Sequence, residues 1–361
     1  MIAPKIPAHE LELQIQRARA AVENQPDNHS YQVLNRQLWG RFVRDGNIKD
    51  ARECLQRLGA SPLPNLDEFN PRVTQFRPEL TEDERRWARW QPWLLASGYN
   101  LYRRFDPTWI PPWIASGKSP QLYADYPNIM PKHVMPAIRT GDEKMVWLKL
   151  CPLEDIEVAA HIYFASEPQR SDPRNHCCRI LDIVLTPLII DGQRQCLIVL
   201  PMLRDVTRPA PRTLGELLQC ILQLAEGLSF MHEHNFAHRD IHVRNVMMDA
   251  SQLIPDGWNP WMVNSTYPDK SDGPVRKIRA LSRSKVDVQY FYIDFGLSVK
   301  FPDAQPRGTM TGTGGLNRNV PELSDIIPYD PFPVDIYMFG DMLRDLSTVR
   351  KLHWRNHVPG N

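Results

Sequence analysis

The sequence has no surplus of charge, no long apolar run and no cysteine framework. Its 361 residues include 43 Lys and Arg against 42 Asp and Glu, a net charge of +1, which gives no reason to expect nucleic acid or an anionic membrane as a partner. No run approaches the roughly 18 apolar residues of a membrane span, and no apolar secretion signal begins the chain. The six cysteines lack C-x-x-C spacing, so we expect reduced thiols in an intracellular compartment, the cytoplasm or nucleus.

One stretch carries most of the chemical information. His238-Arg239-Asp240 is followed by Asn245 and, after a strand-like run, by Asp294-Phe295-Gly296. The spacing matches the H-R-D-x-x-x-x-N and D-F-G motifs of protein kinases. Phosphoryl transfer from ATP needs a carboxylate beside the acceptor hydroxyl and oxygen ligands for Mg²⁺. The spacing places Asp240 for the first task, and Asn245 and Asp294 for the second.

A predicted hairpin over residues 134–150 places a lysine on its second strand. The run that ends at Lys149 stands where kinases carry V-A-I-K, so Lys149 would reach the α- and β-phosphates of ATP. A helix predicted over residues 154–164 follows and carries two glutamates near its start. We expect Glu157 to pair with Lys149, with Glu154 as the competing choice.

Two apolar runs, Ile183–Ile190 and Gln195–Leu200, predict further strands. The second leads into Pro201-Met202-Leu203, the position of the hinge between kinase lobes. Adenine would bind the backbone carbonyl of Pro201 and the N–H of Leu203, so proline at the first position removes no group that the ligand requires. A plain core strand is the alternative interpretation.

The segment after the D-F-G motif is rich in Gly and Thr and contains Thr309, Thr311 and Thr313. Phosphorylation there could create a partner for Arg239; a flexible loop is the alternative. Asp335 begins an apolar run that predicts a buried helix. We expect this carboxylate to accept hydrogen bonds from backbone near Arg239, because a buried charge needs such partners.

The remaining segments predict structure rather than chemistry. Residues 8–59 read as helices packed on the main domain, and Pro62 to Pro78 as a linker. Thr81 to Glu84 has capping-box spacing, and the Trp/Pro cluster over residues 87–113 predicts buried packing rather than a stacking platform for nucleic acid. The basic run Arg276 to Lys285 is interpreted as a solvated loop, with a docking patch for an acidic partner as the alternative.

Together these residues resemble the protein kinase superfamily from about residue 97 to residue 345. Several phrases are similar to kinase-like domains found in fungi, namely Ser166-Glu167-Pro168, Ser171 to His176, Tyr290 to Leu297 and Val320 to Gly340. The resemblance implies an α+β, two-lobed protein kinase-like fold, with a small β-rich N-terminal lobe, a truncated helical C-terminal lobe and an N-terminal helical extension. It also implies ATP in the cleft between the lobes.

The corresponding domain boundaries are a helical extension and linker at 1–95, an N-terminal lobe at 96–200 and a short C-terminal lobe at 201–361. The expected cofactors are ATP and Mg²⁺, with Lys149, Asp240 and Arg239 as catalytic residues. A protein substrate is the expected partner, and the sequence indicates nothing about oligomeric state.

The sequence departs from the kinase pattern in three places. No glycine lies between Gly117 and Gly141, where the phosphate-covering loop should be, and bulky residues there keep backbone away from phosphates. Only 26 residues follow Asp335, so a short C-terminal lobe is expected. His242 replaces the lysine of serine/threonine kinases, while Arg244 resembles the tyrosine-kinase form, which leaves the acceptor class open.

Two other functions remain open from the sequence. A pseudokinase that binds without turnover fits the missing glycines and the short C-terminal lobe. A small-molecule phosphotransferase fits His238, Asp240, His242 and Asn245, which are similar to the H-x-D-x-H-x-x-N loop of aminoglycoside-type enzymes.

Overall fold

The computed structural model describes residues 7–25, 28–65, 80–106, 109–117, 132–260, 264–266, 277–303 and 308–355. Its helices are α1 (Ala8–Asn24), α2 (Asn28–Asp45), α3 (Ile48–Ala60), α4 (Glu82–Ala96), α5 (Pro112–Ser116), α6 (Ile156–Ala165), α7 (Leu214–Glu233) and α8 (Pro331–Arg355). Its strands are β1 (Tyr99–Asn100), β2 (Val134–Arg139), β3 (Lys144–Pro152), β4 (Asp182–Ile190), β5 (Gln193–Pro201), β6 (Arg204–Asp205), β7 (Phe236–Ala237), β8 (Val246–Met248), β9 (Tyr290–Tyr292), β10 (Val299–Lys300), β11 (Met310–Gly312) and β12 (Ser324–Tyr329).

A five-stranded antiparallel sheet holds the lysine strand at its centre. The strand order is β1-β2-β3-β5-β4, so β3 is paired on both sides. Lys149 lies opposite Val134 on one neighbour and Ile198 on the other. Side chains alternate between the faces of a strand, so Leu148 and Leu150 are buried on one face while Lys149 points to the other. The predicted hairpin of residues 134–150 is confirmed.

The predicted helical character of residues 8–59 is confirmed by α1, α2 and α3. Helices α1 and α2 share a small apolar core of Leu11, Ile15, Ala18, Leu34 and Leu38. The second half of α2 and the apolar face of α3 continue into a different core, which includes strands β4 and β5. The predicted linker from Pro62 to Pro78 lies largely outside the described residues.

Helix α4 begins with the predicted capping box. The Thr81 hydroxyl accepts the Glu84 N–H at 3.3 Å, and the Glu84 carboxylate accepts the Thr81 N–H at 2.8 Å. The expected burial of the tryptophans is confirmed for Trp87, Trp90, Trp93 and Trp109, which are 1–4% exposed. These rings pack rather than offer a stacking surface.

The helical half of the molecule is built around α7 and carries the predicted functional loops. The apolar stripe of α7, including Leu217, Leu224 and Leu228, packs against the small sheet β6-β8-β9. Pairing of β8 with β9 sets Val246 opposite Tyr292. Because Asn245 precedes β8 and Asp294 follows β9 by two residues, this pairing brings the two loops together.

The prediction of a solvated basic loop is wrong at one position. Arg283 is only 2% exposed, and its guanidinium donates to the Tyr290 hydroxyl and to the carbonyls of Val206 and Pro209. A buried arginine needs acceptors for its donors; these three serve Nη1 and Nη2, while Nε has no hydrogen-bond partner within the described residues. Arg276 of the same run lies outside the described residues.

Within the described part of the chain, none of the helices combines the length and the apolar character that a bilayer crossing requires. The mixed arrangement of helices around a curled antiparallel sheet is consistent with an α+β kinase-like fold. The lobe boundaries at residues 95 and 200 stay predictions.

Candidate active site

Lys149 lies between two carboxylates. Its Nζ is 2.6 Å from Glu157 Oε1 and 2.8 Å from Asp294 Oδ1. The predicted pairing of Lys149 with Glu157 is therefore present, and the competing Glu154 is exposed. Residues from a strand, a helix and a distant loop meet at one amine.

Helix α6 places Glu157 in its first turn and on the face that is turned toward Lys149. The Asp155 carboxylate caps the helix by accepting the Glu157 N–H at 2.8 Å, so the helix begins two residues later than predicted. Glu157, His161 and Phe164 recur at helical spacing. All three are at most 4% exposed. The ring centroids of His161 and Phe164 lie 5.0 and 5.8 Å from that of Phe295.

Burial and charge act against each other at this ion pair. Burial alone would lower the pKa of Lys149, but the carboxylates of Glu157 and Asp294 outweigh it and raise that pKa. Burial raises the pKa of Glu157 in spite of the attraction of Lys149. Burial would also raise the pKa of Asp294, but Lys149 outweighs it and the pKa is lowered. The lysine is thus held as a cation beside the most exposed of the three groups, Asp294, which is 46% exposed.

His161 is a neutral member of the same cluster. Its Nδ1 donates to the Cys178 carbonyl at 2.8 Å and its Nε2 lies 3.9 Å from Glu157 Oε1. Complete burial lowers its pKa from 6.5 to about 4. A second positive charge beside Lys149 is thereby avoided at neutral pH.

The Asp240 carboxylate is fixed by a donor on each oxygen. Asn245 Nδ2 donates to Oδ2 at 2.7 Å, and the backbone N–H of Leu316 donates to Oδ1 at 2.6 Å. Asp240 is 8% exposed. Gly315 lies so close that a Cβ there would stand 2.8 Å from Oδ1, so the segment after β11 passes directly over the predicted base.

The Asp335 carboxylate holds the backbone of the loop that carries Asp240. It is fully buried, and it accepts the backbone N–H groups of His238 at 2.8 Å and Arg239 at 2.7 Å. The expectation for this residue is confirmed, and His232 Nε2 adds a third contact at 3.0 Å. Arg239 has a left-handed φ of +66°, a conformation that such bonds help to hold.

The D-F-G segment is joined to the Asp240 loop by backbone. Ile293 donates its N–H to the Asn245 carbonyl at 3.0 Å, and its own carbonyl lies 3.0 Å from His238 Nε2. Asp294 follows with a φ of +65°, and Phe295 is fully buried. The two loops that carry the predicted metal ligands therefore form one connected unit.

Asn245 and Asp294 fit a magnesium site in part. Asn245 uses its amide nitrogen on Asp240, which leaves its side-chain carbonyl for another partner. Mg²⁺ usually takes one or two protein oxygens and completes its octahedron with water and nucleotide phosphates. The described residues contain no group of three or more His, Cys, Asp or Glu that would hold a metal by itself, so nucleotide would have to complete the site.

The predicted hinge has an unexpected hydrogen bond. The Leu203 N–H donates to the Pro201 carbonyl at 2.9 Å, a three-residue turn of the γ type. These are the two groups predicted to bind adenine. In this conformation they satisfy each other, so adenine would have to replace that bond.

Arg239 lies beside Gly312 of the threonine-containing segment, but its side-chain hydrogen bonds go to residues outside that segment. Its guanidinium donates to the Leu297 carbonyl at 2.9 Å and to the Tyr329 hydroxyl at 3.3 Å. The Thr313 hydroxyl donates a hydrogen bond to the Asp325 carboxylate at 2.9 Å. Pairing of Arg239 with a phosphate on this segment stays a prediction.

The sequence reasoning missed the contact of Leu316 with Asp240 and the role of His238 in joining the two loops. The adjacent pair Gly314-Gly315 was the available signal for the first, because adjacent glycines permit a close backbone approach.

Comparison with known proteins gives one partial match. A family model described as protein tyrosine and serine/threonine kinase matches residues 193–255. This range runs from β5 through the hinge and α7 to the Asp240 loop and β8. No curated protein matches the chain. The match supports the kinase superfamily for the segment that contains Asp240 and Asn245.

Proposed function

We propose that the chain is an ATP-dependent protein kinase, which transfers the γ-phosphoryl group of ATP to a protein hydroxyl. The observation that supports this most is the position of the Lys149 amine, 2.6 Å from Glu157 and 2.8 Å from Asp294, residues 8 and 145 positions away in the chain. Kinases use this lysine and this pair of carboxylates to place ATP and its metal ions.

The binding roles follow from charge and exposure. Lys149, held as a cation, would bind the α- and β-phosphates while Glu157 keeps its side chain extended. Asn245 and Asp294 would ligate Mg²⁺. When bound, the metal would neutralise charge on the phosphate oxygens. Lys149 would have to release Asp294, which is exposed enough to turn toward a metal.

Asp240 would act as the general base. It would orient the acceptor hydroxyl and accept its proton while the new oxygen–phosphorus bond forms. The bond from the γ-phosphorus to the bridging oxygen breaks, and ADP leaves with that electron pair. Asn245 and Leu316 fix the direction of the carboxylate, and each of its oxygens keeps a second lone pair for the hydroxyl. The acceptor class, serine/threonine or tyrosine, stays open.

A pseudokinase is the second candidate, and a specific observation favours it. The Leu203 N–H donates to the Pro201 carbonyl at 2.9 Å. Adenine would have to break this hydrogen bond to bind the same N–H, so its net gain in binding energy would be smaller. The stretch between Gly117 and Gly141 also has no glycine. A chain with these features would bind partners and bind ATP weakly.

Transfer of labelled phosphate from ATP to a protein acceptor tests the proposal. With Mg²⁺, the wild type should label itself or a general acceptor protein, and Asp240→Asn should lose at least about a hundredfold of that rate, the lower end of the range for a positioned base. Asp287→Asn is the matched control, because Asp287 is exposed and its side-chain hydrogen bonds within the described residues are with Gln289. It should retain the wild-type rate.

The other outcomes separate the rival functions. A rise in melting temperature with Mg²⁺ and ATP but no transfer selects the pseudokinase. ATP turnover that a hydroxylated metabolite stimulates, with no protein labelled, selects the small-molecule phosphotransferase. Equal labelling by wild type and Asp240→Asn would contradict the proposed role of Asp240.

A further inference from the structure

Helix α6 is buried on two sides that lie about 100° apart around its axis. Its inward side carries Glu157 and His161, which face Lys149 and the D-F-G segment. The second side, which we call outward, carries an apolar row at helical spacing, Val158, Ile162 and Ala165, which are 1–6% exposed. A helix with both sides covered cannot shift or turn without breaking contacts on each side.

The outward row packs against the N-terminal helices rather than against solvent. The apolar cluster that contains this row also includes residues of strands β3, β4 and β5 and five residues of α2 and α3, namely Trp39, Phe42, Ala51, Cys54 and Leu58. All five are 0–9% exposed. We call residues Asn28–Ala60, which contain both helices, the α2–α3 hairpin.

Backbone hydrogen bonds fix the α2–α3 hairpin to the chain directly after α6. The Gly46 carbonyl, at the turn between α2 and α3, accepts the Glu167 N–H at 3.1 Å. The Phe42 carbonyl accepts Arg170 Nη1 at 3.2 Å. Gly46 has a φ of +69°, and a Cβ there would stand 2.9 Å from the Glu167 side chain, so the turn and the end of α6 are in close contact.

Two further hydrogen bonds tie the α2–α3 hairpin, and the residue directly after it, to the sheet region. Trp39 Nε1 donates to the Leu181 carbonyl at 3.0 Å, just before β4. Arg194, on β5, donates to the Ser61 carbonyl at 2.5 Å, just after α3. The hairpin is thus attached to both the sheet that carries Lys149 and the helix that carries Glu157.

We propose that the α2–α3 hairpin is a built-in positioning element, which holds α6 so that Glu157 meets Lys149. This inference rests on the proposed function for its effect on ATP. Helix α6 has only ten residues, and a helix of that length is marginal without packing. Without the hairpin, the cluster around its outward row would lose the side chains of α2 and α3, and fewer contacts would hold Glu157 beside Lys149.

Phe42→Ala and Leu34→Ala form a matched pair for the test. Both residues are on α2 and both are 0% exposed. Phe42 belongs to the cluster with α6, whereas Leu34 packs against α1. Phe42→Leu is the conservative variant that should restore most of the contact if Phe42→Ala is harmful.

The first measurement is hydrogen exchange of the α6 amides in the full chain. Phe42→Ala should raise their exchange at least about tenfold above wild type, because local opening no longer has to break the outward contacts. Leu34→Ala and Phe42→Leu should stay near wild type. Equal α6 exchange in Phe42→Ala and Leu34→Ala would overturn the proposal.

The second measurement is the affinity for Mg-ATP. Phe42→Ala should bind about tenfold more weakly if the competent population falls to roughly one tenth. In a Glu157→Gln background the same substitution should have no further effect, because the hairpin acts through that side chain. Additive losses would overturn the positioning role.

Comparison of Lys149→Met with Phe42→Ala separates a failure of the proposed function from a failure of the hairpin proposal. If Lys149→Met leaves Mg-ATP binding unchanged, the proposed function fails, and α6 exchange still decides whether the hairpin holds the helix. If Lys149→Met abolishes binding while Phe42→Ala changes neither affinity nor exchange, the proposed function stands and the hairpin proposal fails.

Discussion

Replacing Asp335 should both destabilise the fold and release the Asp240 loop. Asp335 is fully buried and accepts three donors, the N–H groups of His238 and Arg239 and the imidazole of His232, at 2.7–3.0 Å. Asp335→Ala removes the carboxylate that accepts the backbone N–H groups of His238 and Arg239. Breaking a buried charged network by removing one partner typically costs about 3–5 kcal/mol, and we expect a loss of free energy of unfolding in that range.

Urea unfolding followed by tryptophan fluorescence measures this loss. Asp335→Asn keeps one acceptor oxygen, so about half of the loss should return. Asp345→Ala, on the same helix, removes a carboxylate that is 55% exposed and 3.8 Å from His242, and it should change stability by less than about 0.5 kcal/mol. A loss below about 1 kcal/mol for Asp335→Ala, or one equal to that of Asp345→Ala, would refute the reasoning.

Two further predictions concern the pH response and the glycines over the base. His161 has a pKa of about 4 in the folded chain and 6.5 as its ordinary value. The unfolded chain therefore takes up this proton first as pH falls, and the free energy of unfolding should drop by about 3 kcal/mol between pH 6.5 and 4. His161→Asn should flatten that profile, and an unchanged slope would contradict the assignment. Gly315→Ala should lower phosphate transfer at least about tenfold, because its Cβ would stand 2.8 Å from Asp240 Oδ1 at a φ of +115°. Gly314→Ala, with ordinary contacts only to Leu297, should transfer normally; equal rates for the two variants would exclude a role for the close approach.

The local features of the fold were predictable because they depend on nearby residues. Thr81 with Glu84, and Thr213 with Glu216, form capping boxes in the structure, and both follow the S/T-x-x-E rule. Helix α6 begins later than predicted because Asp155 caps it, and the preference of helix starts for aspartate would have located this cap.

The ion pair was predictable for a different reason, since motif spacing encodes a tertiary arrangement. Lys149 and Glu157 are eight residues apart, and a strand followed by a helix brings them to 2.6 Å. The position of Asp294 depended on the D-F-G motif, because no local rule relates residues 145 apart.

The missed features depend on packing between distant segments. The contact of the Leu316 N–H with Asp240 spans 76 residues and involves backbone, so no side-chain pattern marks it. The bond between Pro201 and Leu203 depends on a local turn that their residue types do not require. The core that Phe42 shares with α6 was anticipated only as a helical extension on the main domain, because apolar periodicity shows which face is buried but not its partner.

Calorimetric titration with ATP, with and without Mg²⁺, tests the central claim most directly. If Lys149, Asn245 and Asp294 form one nucleotide and metal site, the wild type binds ATP, and Mg²⁺ strengthens binding at least about tenfold. Asp294→Asn should lose that magnesium dependence, because it loses the one carboxylate of the predicted metal pair. Failure of the wild type to bind ATP, or the same magnesium dependence in Asp294→Asn, would contradict the account.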